Sequence, residues 1–190
     1  MGKGRLIYLM GASGSGKDTL IAQLKNHLSE AVYVPRRYIT RPVNETQLEQ
    51  HVYMPLEAFT AAKHEGLFAF HWQANGYQYA ICQEIHTALD AGKMVLINGS
   101  REHFQALDDA WKNVCVPVYL AVSAEVQTAR LLGRGRENLA QIEARVARSV
   151  AMLQHLPDEC VVLDANQSVP AVYQQFMEHM QQLALLETAA

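Results

Sequence analysis

Apolar residues along this chain come in two alternating rhythms. Short continuous runs appear at "RLIYLM" (5–10), "KMVLING" (93–99), "VCVPVYLAV" (114–122) and, more briefly, "CVVLD" (160–164). Each has strand length and is bounded by glycine or polar residues, as expected of strands buried on both faces. Between and after these runs the apolar positions recur every three or four residues. Leu20, Ile21, Leu24 and Leu28 define one buried helical face after the first run. Val172, Phe176, Met180 and Leu183 define another in "VPAVYQQFMEHMQQLALLE", where Pro170 is placed early enough to start the helix. Strands alternating with helices predict an α/β fold: a parallel central sheet between two helical layers.

Residues 32 to 82 break the rhythm. "YVPRRYITRPVNETQ" mixes strand formers with prolines and arginines, and "PLEAFTAAKHEG" predicts a short helix closed by Gly66. "LFAFHWQANGYQYAI" then sets Asn75-Gly76 between two aromatic runs, a strong hairpin signal. This stretch is expected to form a small lobe inserted into one domain spanning 1–190. A second irregular stretch, "LLGRGRENLAQ", separates two helices. Asn138 is placed to cap the second of them, with Gln141 in the capping-box position.

Composition narrows the function. Of 190 residues, 49% are hydrophobic and 18% charged, ordinary values for a soluble globular chain. A net charge of -3 leaves no basic excess to displace counterions from nucleic acid. The apolar runs are too short to span a membrane, and "MGKGRLIYLMG" is a first strand rather than a signal peptide. Cys82, Cys115 and Cys160 are odd in number and far apart, as in a reduced, cytoplasmic protein. The eight histidines show no metal-ligand spacing. Oligomeric state is not written in the pattern.

The chemistry starts at the end of the first strand. "GASGSGKD" fits the phosphate-cradling pattern G-x-x-x-x-G-K-[ST] at all but its last position, where Asp18 stands. Gly11, Ala12, Ser13, Gly14, Ser15 and Gly16 can converge their amides on phosphate oxygens. The following helix adds its positive end, and Lys17 a mobile cation for the β- and γ-phosphates of ATP. Asp18 is a hard oxygen ligand suited to Mg²⁺, directly or through water, and Thr19 offers a hydroxyl one residue later. The alternative for Asp18 is a solvated first-turn residue favoured by the helix dipole.

Two arginine groups follow. Arg36, Arg37 and Arg41 lie on the inserted lobe, and their guanidinium forks suit a doubly charged phosphate. Arg134, Arg136, Arg145 and Arg148 lie on or after the glycine-flanked stretch, as in a lid that neutralises developing charge. A solvated strand edge and a salt-bridged helix would carry the same residues. No serine–histidine–carboxylate set or carboxylate pair stands out. A phosphate acceptor is already anionic near neutrality and needs no base, so the pattern points to phosphate attacking phosphate.

"MGASGSGK", "YITRP", "NGYQY" and "RGRENLAQIEARV" together resemble the guanylate-kinase-like P-loop kinases over nearly the whole chain. The resemblance implies a P-loop kinase three-layer sandwich, with an acceptor-binding lobe at about 32–82 and an arginine-bearing lid at about 133–140. It makes Arg41 an acceptor-phosphate arginine, Tyr79 its tyrosine partner, and Arg134 and Arg145 lid arginines that act in catalysis with Lys17. Departures are informative. Arg37 stands where the family has a guanine-reading serine, and Asn44 replaces a second arginine. Ala80 replaces a glycine, and no acid precedes the tyrosine to read guanine. Asn98 replaces the acidic strand end, with Arg101 adding a cation nearby. These departures resemble the bacterial branch that phosphorylates ribose 1,5-bisphosphate during phosphonate breakdown. That likeness implies an ATP- and Mg²⁺-dependent cytoplasmic enzyme. Arg37, Arg41, Tyr79, Asn98 and Arg101 would line its phosphosugar site, with neither nucleic acid nor membrane as partner. A kinase of GMP and a non-catalytic binding module of the same family are the competing expectations.

Overall fold

A computed structural model of the chain describes residues 4–42, 51–74, 76–135, 137–153 and 156–185. Two sheets organise it. In chain order the elements are β1 (Arg5–Gly11), α1 (Lys17–His27), β2 (Val32–Tyr33), β3 (Arg37–Ile39), β4 (His51–Tyr53), α2 (Leu56–His64), β5 (Phe68–Ala74), β6 (Tyr77–Cys82) and α3 (Ile85–Asp90). There follow β7 (Met94–Asn98), α4 (Arg101–Ala106), α5 (Asp109–Val114), β8 (Cys115–Ala121), α6 (Ala124–Arg134), α7 (Leu139–Leu153), β9 (Val161–Asp164) and α8 (Val169–Gln182).

The larger sheet has the order β2-β7-β1-β8-β9 and is parallel throughout. Its four longer strands are the four apolar runs of the sequence. The short β2 joins β7 as the edge strand, so the second sheet, β4-β3-β6-β5, begins only at Arg37. β1 runs through the middle of the larger sheet with Leu6, Ile7, Tyr8 and Leu9 wholly buried. Each such side chain contributes about 1.5–3 kcal/mol on leaving water.

Alternation along β1 splits this core. Ile7 and Leu9 pack with Leu20, Leu24, Phe176 and Met180 of α1 and α8. Leu6, Tyr8 and Met10 face the other way, toward α3, α4 and the inner face of the second sheet. The stripe expected on the last helix holds for Val172, Phe176 and Met180. Leu183 departs from it and is exposed, because the helix has ended at Gln182. Gly66 closes α2 at φ 71°, as expected. β5 and β6 form the predicted hairpin, with Asn75 outside the described residues. So are Asn44 and Arg136. No helix among the described residues is long and apolar enough to cross a membrane.

Candidate active site

The glycine loop is shaped by the strand it leaves and the helix it enters. A side chain at Gly11 would put Cβ 2.8 Å from the Ser15 hydroxyl and 2.9 Å from the Leu120 carbonyl, so only glycine fits. Gly16 turns the chain into α1 at φ 96°, a conformation costly to any other residue type. No side chain caps this helix among the described residues, so its first-turn amides and its dipole are directed at the loop. Lys17 arcs back over the loop, its Nζ donating to the carbonyls of Gly11 at 2.7 Å and Ala12 at 3.0 Å. Ser15 Oγ is buried without a partner among the described residues. A buried hydroxyl in that state costs about 1–3 kcal/mol, and a phosphate oxygen in the cradle would satisfy it. The residues present therefore fit a bound triphosphate.

On one side of the loop stands the end of β7. Its parallel register with β1 sets Asn98 opposite Leu9, at the level where the loop begins. Asn98 Nδ2 donates to Asp18 Oδ1 at 2.9 Å. The backbone carbonyl of Asn98 accepts from Arg37 Nη1 at 3.1 Å, and the Arg37 guanidinium lies 5.5 Å from the centre of the Tyr79 ring. Four of the expected site residues, from four separate segments, thus form one connected group. Arg41 lies beyond β3 with its guanidinium 5.9 Å from the Tyr77 ring. Arg101 opens α4 directly after Ser100, and its charge acts on the Tyr119 phenol. Arg36 is exposed, and its charge is felt by Tyr33 and Tyr38 beside Glu84.

The other side of the loop is gripped by α6 and α7. The capping box at the start of α7 is present in full: Asn138 N donates to Gln141 Oε1 and Gln141 N to Asn138 Oδ1, each at 3.0 Å. Arg145 donates from Nη1 to Ser13 Oγ at 3.0 Å and pairs through Nη2 with Glu137 at 3.2 Å. Arg148 is exposed and bonds back to the Ala144 carbonyl. Two residues not anticipated from the sequence complete the grip. Arg130 reaches the Gly14 and Ala165 carbonyls at 3.3 and 2.9 Å. Gln127, almost wholly buried, donates to the Ser13 carbonyl at 3.1 Å and to Ser149 Oγ at 3.0 Å. With Arg134 they form a polar stripe at helical spacing in "QTARLLGR", a signal that could have found them.

A cleft of about 400 Å³ lies along the loop, lined by Gly16, Thr19, Arg130, Arg134, Gln167 and Val172 among others. Its mixture of apolar wall and few polar groups suits a nucleoside. Thr19 lines this cleft, whereas Asp18 accepts from Asn98, so the two residues considered for the metal serve different surroundings. No group of three or more His, Cys, Asp and Glu ligands occurs among the described residues. A single carboxylate beside a triphosphate is nonetheless the donor set Mg²⁺ uses, since it keeps several waters. Burial pushes the Cys115 and Cys160 thiols up to about 12 and about 11, which keeps both protonated and unreactive.

The sequence profile of the family described as guanylate kinase matches residues 3–183. Among curated proteins, the ribose 1,5-bisphosphate phosphokinase PhnN of Yersinia pestis is 40% identical over 184 residues, covering 97% of this chain and 93% of that protein. The protein of the same name from Dickeya zeae is 42% identical over 172 residues, 90% of each chain. That from Azotobacter vinelandii is 43% identical over 167 residues, 87% of this chain and 90% of its own. Among solved structures, guanylate kinase from Anaplasma phagocytophilum superposes with a TM-score of 0.69 over 99% of this chain and 89% of that one, at 15% identity. That likeness is one of fold.

Proposed function

This chain belongs to the guanylate kinase family, and from that premise we propose that it transfers the γ-phosphoryl group of ATP to the 1-phosphate of ribose 1,5-bisphosphate. The products are 5-phosphoribosyl 1-diphosphate and ADP. One observation carries the reading: Arg37 is tied through the Asn98 carbonyl to the strand end beside Asp18 and the glycine loop. It sets a cation for a second phosphate where a base-reading residue would be neutral. The relatives named for this activity support the same substrate.

We assign the loop amides, Ser15 and Lys17 to the ATP phosphates, and the cleft beside Thr19 and Arg134 to the nucleoside. Arg37, with Tyr79 beside it, holds the acceptor from the second sheet, and Arg41 and Arg101 contribute positive charge. An oxygen of the 1-phosphate attacks the γ-phosphorus in line. The bond from that phosphorus to the β–γ bridging oxygen breaks, and ADP leaves with the electron pair. The attacking oxygen is already anionic, so no side chain has to remove a proton. Catalysis is then positioning and charge stabilisation. In this reading Lys17 follows the transferring group, and Arg145, bonded to Ser13, neutralises charge on it. Asp18 and Asn98 would hold Mg²⁺ directly or through water, and the ion would neutralise charge on the β- and γ-phosphates when bound. With Cys82, Cys115 and Cys160 all as free thiols, we place the enzyme in the cytoplasm.

The test is direct. Purified protein with ATP and Mg²⁺ is given ribose 1,5-bisphosphate or GMP, and the products are followed by phosphorus NMR and ADP release. A diphosphate on the sugar, with a higher kcat/KM than any reaction of GMP, is expected. Preferred turnover of GMP would make the protein a nucleotide kinase. An absence of ATP binding in calorimetry would make it a binding module.

A further inference from the structure

The inner face of the second sheet is closed by aromatic rings rather than left open. β5 carries a bulge between Phe68 and Phe70. It turns Phe68 outward, onto Phe59 of α2, while Phe70 and Trp72 face the larger sheet. There Trp72 stacks on Tyr79, with ring centres 5.5 Å apart and planes at 12°. It stacks also on His103 of α4, at 4.6 Å and 15°. Phe70 meets the same histidine edge-on, at 5.7 Å. His103 is fixed in turn: its Nδ1 shares a 2.6 Å hydrogen bond with the buried Tyr8 hydroxyl, and its amide donates to Ser100 Oγ at 3.1 Å. Trp72 is 8% exposed, Tyr79 6% and Phe70 3%.

This stack borders the acceptor arginine. Arg37 sits over the Tyr79 ring, so a phosphate held by Arg37 has the Tyr79–Trp72–His103 stack beside it. On the opposite face of the sheet, Phe59 and Ala62 of α2 pack against Phe68 and Ala80. A planar base joined to that phosphate through a sugar would need a ring face to lie against and polar groups to read its edge. Both neighbours of Trp72 are nearly parallel to it, and Trp72 is almost wholly buried, so little of its ring is open to a further partner. The inward residues of β5, Phe70 and Trp72, carry no carboxylate to accept from a base.

We infer that Trp72, packed against Tyr79 and His103, occupies the volume a nucleobase would require and so restricts the acceptor to phosphosugars without a base. Trp72 is then a specificity-determining residue that acts by exclusion, and Tyr8, His103 and Ser100 hold it in place. The inference rests on the assignment of Arg37 to the acceptor phosphate. Exclusion by a filled, apolar volume discriminates by shape, and a substrate that cannot enter loses both binding and turnover.

The experiment compares wild type with Trp72→Ala and Trp72→Phe. The kcat/KM ratio of GMP to ribose 1,5-bisphosphate is measured, and GMP binding is followed separately by calorimetry without ATP. In Trp72→Ala the ratio is expected to rise at least about tenfold, with a measurable gain in GMP affinity. Trp72→Phe, which retains a ring, should remain near wild type. A folded Trp72→Ala protein, checked by circular dichroism, whose ratio and GMP affinity both stay within about threefold of wild type would overturn the inference. So would an equal gain in Trp72→Phe. Should Trp72→Ala fail to fold, His103→Ala opens the stack from its other end and is judged by the same two outcomes. If wild type turns over neither acceptor, the proposed reaction fails, yet the calorimetric gain still decides the role of Trp72.

Discussion

Asn98 Nδ2 donates a 2.9 Å hydrogen bond to Asp18 Oδ1, joining the end of β7 to the first turn of α1. The pattern this chain resembles has a hydroxyl on the loop and an acid at the strand end. Here the acid stands on the loop and the strand end supplies a neutral amide. The pair keeps one carboxylate and one hydrogen-bonding partner and exchanges their places. Asn98→Asp would bring two carboxylates to within about 3 Å of each other, where like charges cannot both be ionised cheaply. Its kcat/KM should fall about 10–100-fold. Asp18→Ser combined with Asn98→Asp should recover much of the loss. Calorimetry of ATP binding against Mg²⁺ concentration supplies a readout besides activity, and a double variant worse than both singles would reject the exchange.

Lys17 contributes charge and little packing. Among its bonds are those to the loop carbonyls of Gly11 and Ala12. Lys17→Ala should lower kcat by about 100–1,000-fold, the cost of removing one preorganised donor from a developing charge. Its melting temperature should stay close to that of wild type. Wild-type turnover in this variant would remove the phosphate assignment of the loop.

Arg145 binds Ser13 on the loop and Glu137 ahead of α7 with one guanidinium. Arg145→Ala should therefore reduce kcat more than it reduces ATP affinity, because the contact sets lid position over the transferring group. Stopped-flow measurement of ATP binding beside steady-state kcat separates the two. An equal fall in both would make Arg145 a simple nucleotide ligand.

Arg37→Ser removes a cation from the acceptor side and leaves the loop intact. The KM for ribose 1,5-bisphosphate should rise about 10–150-fold, the range of one charge-assisted hydrogen bond at about 1.5–3 kcal/mol. The KM for ATP should change little. An unaltered KM for the sugar would return Arg37 to a structural role.

His103 gives the fold a pH dependence of predictable sign. Burial lowers its pKa from 6.5 to about 4, so the folded protein holds it neutral where the unfolded chain would bind a proton. Its contribution to stability is complete above the unfolded value. It is lost as pH falls from about 6.5 toward 4. The melting temperature should drop between pH 7 and pH 5, and His103→Asn should flatten that slope. An unchanged slope would show that other groups govern the acid limb.

How much was legible follows from what each feature depends on. The four apolar runs, the glycine loop, the α7 capping box and the stripe of Val172, Phe176 and Met180 depend on residues near in sequence, so periodicity and spacing were enough. Strand order was not. β2 and β7 pair across an intervening sheet, whereas sequence proximity puts Val32 and Tyr33 with the inserted lobe. Arg130 and Gln127 are not legible there, because a polar residue on a helix is usually solvated. Only the packing of α6 against the loop turns them inward. The bulge in β5 had the largest effect, since strict alternation in "FAFHW" would put Phe68, Phe70 and Trp72 on one face. By itself the sequence determined the chemistry of each segment: a phosphate cradle, cationic side chains, and aromatic strands with no acid. Tertiary structure alone decided which of these met, because hydrogen bonds such as Asn98 to Asp18 and ring stacks such as Trp72 on His103 join residues whose separation along the chain carries no periodic signal.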